Sequence, residues 1–257
     1  MRTAFSKAEI ETEIAARFST AFKAREKQPA ETLSTGIPEA DSLTGGLPRG
    51  AITEMFGPAS SGRTSFMLST LAHATHHDEV CVLVDTNDCF DPATAAAAGV
   101  NLDRLLWIRC ASNIEHAFKA ADLLLQGGGF GLVILDIGDV AGKDARRIIS
   151  SWWYRFRRVV ENTPITFVVI GQESSVRSCA SLTLNMKGLF DLWSSASDVL
   201  GKSVSSSFRK PHSSATVRSN PLSGLPLLRG IQIGLERQKP VSVGERSSQF
   251  IAHASIK

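Results

Sequence analysis

The feature that most constrains this chain is a glycine-containing loop between a predicted strand and a predicted helix. The loop reads Gly-Pro-Ala-Ser-Ser-Gly-Arg-Thr-Ser and departs from the pattern G-x-x-x-x-G-K-[ST] at one position. Backbone N–H groups of such a loop, with a helix N-terminus behind them, form a concave site for anions. The sequence therefore predicts a phosphate-binding loop made by Gly57, Pro58, Ala59, Ser60, Ser61, Gly62, Arg63, Thr64 and Ser65.

Two residues of this loop set the expected chemistry. Thr64 stands where a hydroxyl would ligate Mg²⁺. Arg63 stands where the pattern has lysine, so a broad planar guanidinium replaces a compact ammonium that fits between phosphates. The alternative is a Gly/Ser-rich turn without a ligand, but the nearly complete pattern favours phosphate binding.

Composition limits the class of protein. The chain has 257 residues, of which 43% are hydrophobic and 21% charged, enough for one α/β domain with appendages. No apolar run reaches about 18 residues, and no apolar segment follows the N-terminus, so we expect neither a membrane span nor a secretory signal. The four cysteines lack C-x-x-C spacing, which argues against a zinc site and a disulfide framework and favours a cytoplasmic location.

Charge is distributed unevenly along the chain. Nine basic and two acidic side chains give residues 201–257 a net charge of +7. Because the whole chain carries +3, residues 1–200 carry −4. A basic C-terminal part predicts an anionic partner, with DNA the first candidate, and a solubilising basic tail stays open as the alternative.

Apolar periodicity and residue composition divide the chain into four parts. Residues 1–31 are predicted to hold an amphipathic helix, because residues 6–27 repeat an apolar side chain every four positions. Residues 32–193 form the nucleotide-binding core, and residues 194–226, with eleven serines, are predicted to be a flexible insertion. Residues 227–257 return to an alternating pattern and supply the C-terminal strands. The N-terminal helix either packs on its own domain or docks on a partner.

The core alternates buried strands with helices, which predicts a mostly parallel sheet. Two of its apolar strands end in Asp85 and Asp136, at the edge where α/β sheets have their ligand sites. The segment that ends in Asp136 has the form of a Walker B segment, whose acid can hold Mg²⁺ through water. Residues 143–161 form a helix rich in both aromatic residues and arginine. It either binds single-stranded nucleic acid or, as its helical spacing favours, packs Trp153, Phe156 and Val160 on the sheet while the arginines are solvated.

Several segments occur in the same order as in the RecA recombinase family. They are residues 34–38, 45–50, 54–58, 60–62, 83–92 and 98–106. The resemblance extends over about residues 32–175 and to a C-terminal β-hairpin at 230–254. The added N-terminal helix, the short length and residues 177–180 look closer to the ImuA-type branch, whose members are accessory proteins of damage-induced mutagenesis. The resemblance implies an α/β, RecA-like core with a mostly parallel central sheet, an N-terminal helix and a C-terminal β-hairpin.

The resemblance also implies ATP and Mg²⁺ as cofactors. Besides Arg63, this chain departs from the family pattern at three positions of the ATP site. The family's catalytic glutamate falls on Asn87, a loop acid falls on Ala59, and the aromatic residue that stacks on adenine falls on Thr94. Asp91 and Gln172 match nucleotide-site residues, Gln172 being the glutamine that senses the γ-phosphate. Thr64 and Asp136 match the metal side of the site. The predicted catalytic positions are thus Asn87, in degenerate form, and Gln172.

The resemblance and these departures together imply a DNA repair and recombination protein with weak or no ATPase activity. It would bind DNA, and like subunits or a repair protein through residues 6–27, in the DNA-damage (SOS) response. The alternative is an active DNA-dependent ATPase that performs strand exchange. A third possibility is a regulator that caps RecA-like filaments through its N-terminal helix.

Overall fold

The computed structural model of the protein describes residues 31–140, 150–193, 228–240 and 245–253. The predicted N-terminal helix at 6–27 and the predicted insertion at 194–226 lie outside the described residues, as do residues 143–149 of the predicted aromatic helix.

The described chain alternates strands and helices, as the sequence predicts. The strands are β1 (Thr32–Leu33), β2 (Leu47–Pro48), β3 (Ala51–Phe56), β4 (Cys81–Asp85), β5 (Leu105–Arg109), β6 (Leu132–Asp136), β7 (Thr166–Gly171), β8 (Leu182–Trp193), β9 (Leu228–Lys239) and β10 (Ser247–His253). The helices are α1 (Pro38–Thr44), α2 (Arg63–His76), α3 (Pro92–Ala97), α4 (Ile114–Gly127) and α5 (Ser150–Val160). Two short 3₁₀ turns, Leu102–Arg104 and Arg177–Cys179, complete the described elements.

Eight of the described strands form one central sheet in the order β10-β9-β8-β3-β7-β6-β4-β5. Strands β8, β3, β7, β6, β4 and β5 are parallel to their neighbours in that row, whereas β8–β9 and β9–β10 pair antiparallel. Parallel neighbours need a crossover between them, and an antiparallel pair needs only a turn. The mostly parallel α/β core and the C-terminal β-hairpin are therefore confirmed.

Helices cover both faces of the parallel part of the sheet. On one face α2 buries Phe66 and Leu71, and on the other α4 and α5 bury Phe118 and Phe156. The Phe156 ring lies 5.6 Å from that of Phe118 and 5.5 Å from that of Phe167, between centroids. Truncating such a fully buried ring to alanine typically costs about 3–5 kcal/mol.

Helix α5 combines a buried apolar face with a paired arginine. Trp153, Phe156 and Val160 are buried against the sheet, so the packing prediction is confirmed for them. Arg155 is exposed, as expected of a solvated arginine, and its Nε also donates to Asp122 Oδ1 on α4 at 2.7 Å. No helix in the described ranges is both long and apolar enough to cross a membrane.

Candidate nucleotide-binding site

The predicted phosphate-binding loop lies between the C-terminal end of β3 and the first turn of α2. Its two defining glycines are required by close packing. A Cβ at Gly57 would lie 2.3 Å from the Met186 carbonyl oxygen, and a Cβ at Gly62 would lie 2.1 Å from Ile233 Cδ1. Gly62 also has φ of 89°, in the left-handed region where side chains are strained. The glycines therefore let the loop turn against the sheet.

Strands β8 and β9 pack closely against this loop. Gly188 on β8 is so close to the loop that a Cβ there would lie 2.7 Å from the Ser60 carbonyl oxygen. Ile233 on β9 packs on Gly62 from the same side. The distant C-terminal segment thus supports the loop's conformation, which the sequence pattern of the loop alone does not indicate.

The start of α2 fits an anion. The first N–H groups of a helix have no partner within the helix, and Gly62 supplies no side-chain cap to them. The macrodipole adds a partial positive charge at the same place. Thr64 is exposed there, and the buried Ser61 Oγ has no hydrogen-bond partner among the described residues. The unpaired N–H groups at the start of α2 and the exposed Thr64 make the loop suitable for phosphate oxygens.

Arg63, the residue that departs from the motif, is turned toward the ends of the neighbouring strands. Its Nη1 donates to the Gly171 carbonyl oxygen at 3.0 Å and to the Gly138 carbonyl oxygen at 3.2 Å. Gly171 is the last residue of β7, and Gly138 follows the end of β6. The Gly57 N–H also donates to the Gly171 oxygen, at 3.3 Å. The phosphate loop is therefore tied to the end of β7 at two points.

Asp136, the predicted metal-side acid, ends β6 close to Arg63. Burial raises the pKa of Asp136 to about 6, and the nearby charges of Asp85 and Asp139 act in the same direction. The Gly138 N–H, which donates to Oδ1 at 2.8 Å, and the Arg63 charge oppose that rise. A metal ion at this carboxylate would favour its ionised form.

Asp85, the last residue of β4, and Asn87, two positions later, differ in how completely their side chains are hydrogen-bonded. The buried Asp85 carboxylate accepts hydrogen bonds from the N–H groups of Cys89 and Phe90 and from Trp107 Nε1. Asn87, at the predicted degenerate catalytic position, has a buried Oδ1 without a partner in the described part of the chain. Asp85 therefore shapes the turn, while the Asn87 Oδ1 is left without a hydrogen bond from the described residues.

Asp91 and Gln172, the other predicted nucleotide-site residues, differ in whether their side chains are already hydrogen-bonded within the protein or exposed. Asp91 caps α3, where its carboxylate accepts from the N–H groups of Ala93 and Thr94 and from the Thr94 hydroxyl. These bonds lower the pKa of Asp91, the Thr94 hydroxyl having the largest effect. Gln172 is exposed immediately after Gly171, beside the anchored end of β7. The structure thus brings Gln172 next to the Arg63 contact, while Asp91 has a structural role already.

Sequence reasoning missed one residue at this end of the sheet, Glu54. It lies in the buried strand β3 and is 1% exposed, yet it carries a carboxylate. The carboxylate accepts hydrogen bonds from the Ser174 hydroxyl and from the N–H groups of Ser175 and Val176. A charged residue inside an otherwise buried strand was the available signal, since such residues are rarely buried without partners.

The site offers few protein ligands for a metal on its own. No group of three or more His, Cys, Asp or Glu side chains suited to a metal ion occurs among residues 31–140, 150–193, 228–240 and 245–253. The Thr64 hydroxyl and the Asp136 carboxylate are of the hard oxygen type that Mg²⁺ prefers, and Mg²⁺ commonly takes its remaining ligands from phosphate and water. The residues present therefore fit Mg²⁺ that arrives with a nucleotide.

Comparison with known proteins agrees with this geometry. Residues 5–146, more than half of the chain, match the model of the RecA N-terminal domain. Protein RecA of Methylobacterium sp. (strain 4-46) is 40% identical over 111 residues, which cover 42% of this chain and 30% of that protein. Protein RecA of Blastochloris viridis is 42% identical over 108 residues, or 41% of this chain and 31% of the relative. Protein RecA of Borrelia hermsii (strain HS1 / DAH) is 38% identical over 108 residues, or 41% and 30%. The matched stretch thus spans less than a third of these relatives' length, but with the loop, the parallel sheet and the family match together, this chain belongs to the RecA family.

Proposed function

We propose that this chain is a RecA-like repair and recombination protein that binds ATP with Mg²⁺ and hydrolyses it very slowly or not at all. The observation that supports the proposal most directly is the pair of carbonyl contacts made by Arg63. The side chain that the motif directs toward the phosphates is engaged by Gly138 and Gly171 instead. A nucleotide would have to compete with those acceptors for the guanidinium.

The proposed chemistry follows from the residues that remain. The open N–H groups at the start of α2 would hold the phosphates, and Thr64 with Asp136 would hold Mg²⁺, which supplies charge neutralisation when bound. Asn87 offers an amide that can orient a water molecule but cannot take its proton. Binding is therefore retained in this proposal, and the hydrolytic step is impaired.

DNA is the proposed macromolecular partner. The relatives named above are RecA proteins, and residues 201–257 carry a net charge of +7 that suits a phosphate backbone. We place the action in the DNA-damage (SOS) response and in the ImuA-type branch, on the resemblance given in the sequence analysis. The cytoplasm is the proposed location, on the ground that all four cysteines are free thiols.

The decisive experiment measures ATP binding and ATP turnover by the purified protein, with and without single-stranded DNA. We expect ATP binding that requires Mg²⁺ and no DNA-stimulated turnover above background. Turnover of about one per second with DNA, at the low end of ordinary enzyme rates, would instead identify an active ATPase of the recombinase type. Absence of ATP binding would remove the nucleotide from the proposed function and leave DNA or protein binding.

A further inference from the structure

Glu54 holds a segment that is remote from it in sequence. The segment is the β7–β8 crossover, residues 172–181, which leaves β7 and enters β8. Because the sheet order is β8-β3-β7, the chain must pass over β3 to reach β8. Val176 and Cys179 are buried with Ile52 of β3 on the same face of the sheet as α5. Glu54 lies two residues after Ile52 and so faces the crossover.

The carboxylate meets the crossover where its backbone donors would otherwise be buried without acceptors. Oε1 accepts from the Val176 N–H at 2.7 Å and also from the Ser175 N–H. Oε2 accepts from the Ser174 hydroxyl at 2.8 Å. Hydrogen bonds to a charged acceptor are stronger than those between neutral groups, and they are costly to leave unmade in a buried place. This arrangement fixes residues 174–176 on β3.

The residue just before the crossover, Gly171, is held by the phosphate loop. The Gly171 carbonyl oxygen accepts from the Gly57 N–H at 3.3 Å and from Arg63 Nη1 at 3.0 Å. Gln172 therefore stands between Gly171, which the loop holds, and Ser174, which Glu54 holds. Glu54 itself lies only three residues before Gly57 on β3.

We propose that Glu54 is a positioning residue, which holds Gln172 at a fixed place relative to the phosphate loop so that this side chain can distinguish a third phosphate from its absence. The proposal rests on the proposed nucleotide binding. Strand β3 would then both lead into the phosphate loop and, through Glu54, hold the crossover. Without the Glu54 carboxylate residues 174–176 would lose their hydrogen bonds to β3, and the nearest remaining backbone bond to β3 would be that from the Ser181 N–H to the Ile52 carbonyl oxygen. Gln172 would then sample several positions.

The test compares two ways of removing a buried carboxylate. Glu54→Met removes both acceptor oxygens, whereas Glu54→Gln keeps one oxygen for the two N–H groups and an amide for the Ser174 hydroxyl. Asp122→Leu is the matched control, because the buried Asp122 carboxylate also accepts three hydrogen bonds, two from Arg155 and one from Gln126, and lies between α4 and α5. Ser174→Ala is a milder variant that removes a single contact should Glu54→Met fail to fold.

The first readout is amide hydrogen exchange in the nucleotide-free protein. We expect exchange at Ser175 and Val176 to become about tenfold faster or more in Glu54→Met, because local opening is no longer opposed by charge-assisted bonds. Glu54→Gln should lie between Glu54→Met and the unaltered protein, and Asp122→Leu should leave these two amides unchanged. Unchanged exchange in Glu54→Met, or in Ser174→Ala where that variant replaces it, would overturn the proposal.

The second readout is the ratio of the ATP affinity to the ADP affinity, each measured with Mg²⁺. In the unaltered protein the ratio should exceed one, and it should approach one in Glu54→Met while Asp122→Leu preserves it. Equal affinities in the unaltered protein would show that Gln172 does not distinguish ATP from ADP. A ratio that Glu54→Met does not change would show that Glu54 does not position Gln172 for that purpose. If the unaltered protein binds neither nucleotide, the proposed function fails, and the exchange readout alone decides whether Glu54 holds the crossover.

Discussion

Arg63 and Gly171 are joined by a hydrogen bond of 3.0 Å from the guanidinium Nη1 to the carbonyl oxygen that ends β7. The two residues are 108 positions apart in the chain. This bond, with the one to Gly138, holds the loop's cation on backbone acceptors beside Asp136. One nitrogen, Nη1, makes both bonds, and a phosphate must draw the guanidinium away from these two acceptors.

Restoring both motif residues should raise ATP turnover, whereas either change alone should not. Arg63→Lys supplies the compact ammonium, and Asn87→Glu supplies a carboxylate that can polarise the attacking water. General acid–base groups typically contribute about 10²–10⁴-fold each, so the missing acid limits the rate even where phosphates bind well. The measurement is DNA-stimulated phosphate release by the three variants. Asn87→Gln with Arg63→Lys is the control, and equal rates in both double variants would contradict the role given to Asn87.

Asp136→Asn should stabilise the protein at neutral pH and should not do so in acid. Burial raises the pKa of Asp136 from 3.8 to about 6, so the folded state keeps a proton that the unfolded state loses over that window. Stability therefore falls as pH rises from about 4 to 6, and the full cost, up to about 2–3 kcal/mol, is present above pH 6. Removing the ionisable group removes that cost, while Asn still accepts from Gly138.

Thermal melts of Asp136→Asn and of the unaltered protein at pH 4, 5, 6 and 7.5 check this expectation. The difference in melting temperature should be near zero at the lowest pH and positive at the highest. Asp103→Asn, at an exposed carboxylate, serves as the control and should show no such trend. A lower melting temperature for Asp136→Asn at pH 7.5 would mean that the ionised carboxylate is favourable in the fold, through Arg63.

Cys89 should react slowly with iodoacetamide although it is exposed. Local burial, followed by a hydrogen bond to Asp139 and by the charges of Asp139, Asp85 and Asp136, raises the pKa of Cys89 to about 11. The thiolate is the reactive form, so at pH 8 alkylation should be about tenfold to a hundredfold slower than that of an unperturbed thiol. Asp139→Asn should accelerate it. Mass spectrometry of the labelled peptide measures both rates. Rapid labelling of the unaltered protein would contradict the raised pKa of Cys89.

Gly62→Ala should destabilise the protein by about 2–4 kcal/mol, from left-handed backbone strain together with overpacking. The added Cβ would lie 2.1 Å from Ile233 Cδ1, at φ of 89°. Adding Ile233→Ala should relieve the clash but not the strain, so the two changes should be strongly non-additive. Gly127→Ala is the control, because nothing lies within 4 Å of a Cβ there and alanine favours helix. Chemical denaturation measures the unaltered protein, the two single variants Gly62→Ala and Ile233→Ala, their combination and the control, and additive effects would exclude the Gly62–Ile233 contact.

The predicted N-terminal helix should act as a docking element. Residues 6–27 lie outside the described residues, and the prediction rests on Ile10, Ile14, Phe18 and Phe22 in a four-residue repeat. Phe18→Asp with Phe22→Asp should abolish self-assembly or partner capture while leaving the core's melting temperature nearly unchanged, because a free amphipathic helix needs an apolar surface to cover it. Thr12→Asp with Thr20→Asp, on the opposite side of the repeat, is the control. Unfolding of the whole domain by the first pair would place the helix in the core instead.

Local patterns in the sequence were enough to predict the α/β class, the loop after β3 and the C-terminal hairpin. Each depends on residues close together in the chain, such as the two glycines of the loop or an apolar run of strand length. Burial of Trp153 and Phe156 was predictable for the same reason, because helical spacing places them on one face.

The tertiary structure alone decided which groups meet at the site. The partners of Arg63 are 75 and 108 residues away, and those of Glu54 are 120 to 122 residues away. Their identity depends on the strand order, which puts β3 between β7 and β8, and on β9 returning Ile233 to the loop. Strand order is set by packing of the whole chain, so a periodic pattern could predict that Glu54 lies in a strand but not what its carboxylate would hold.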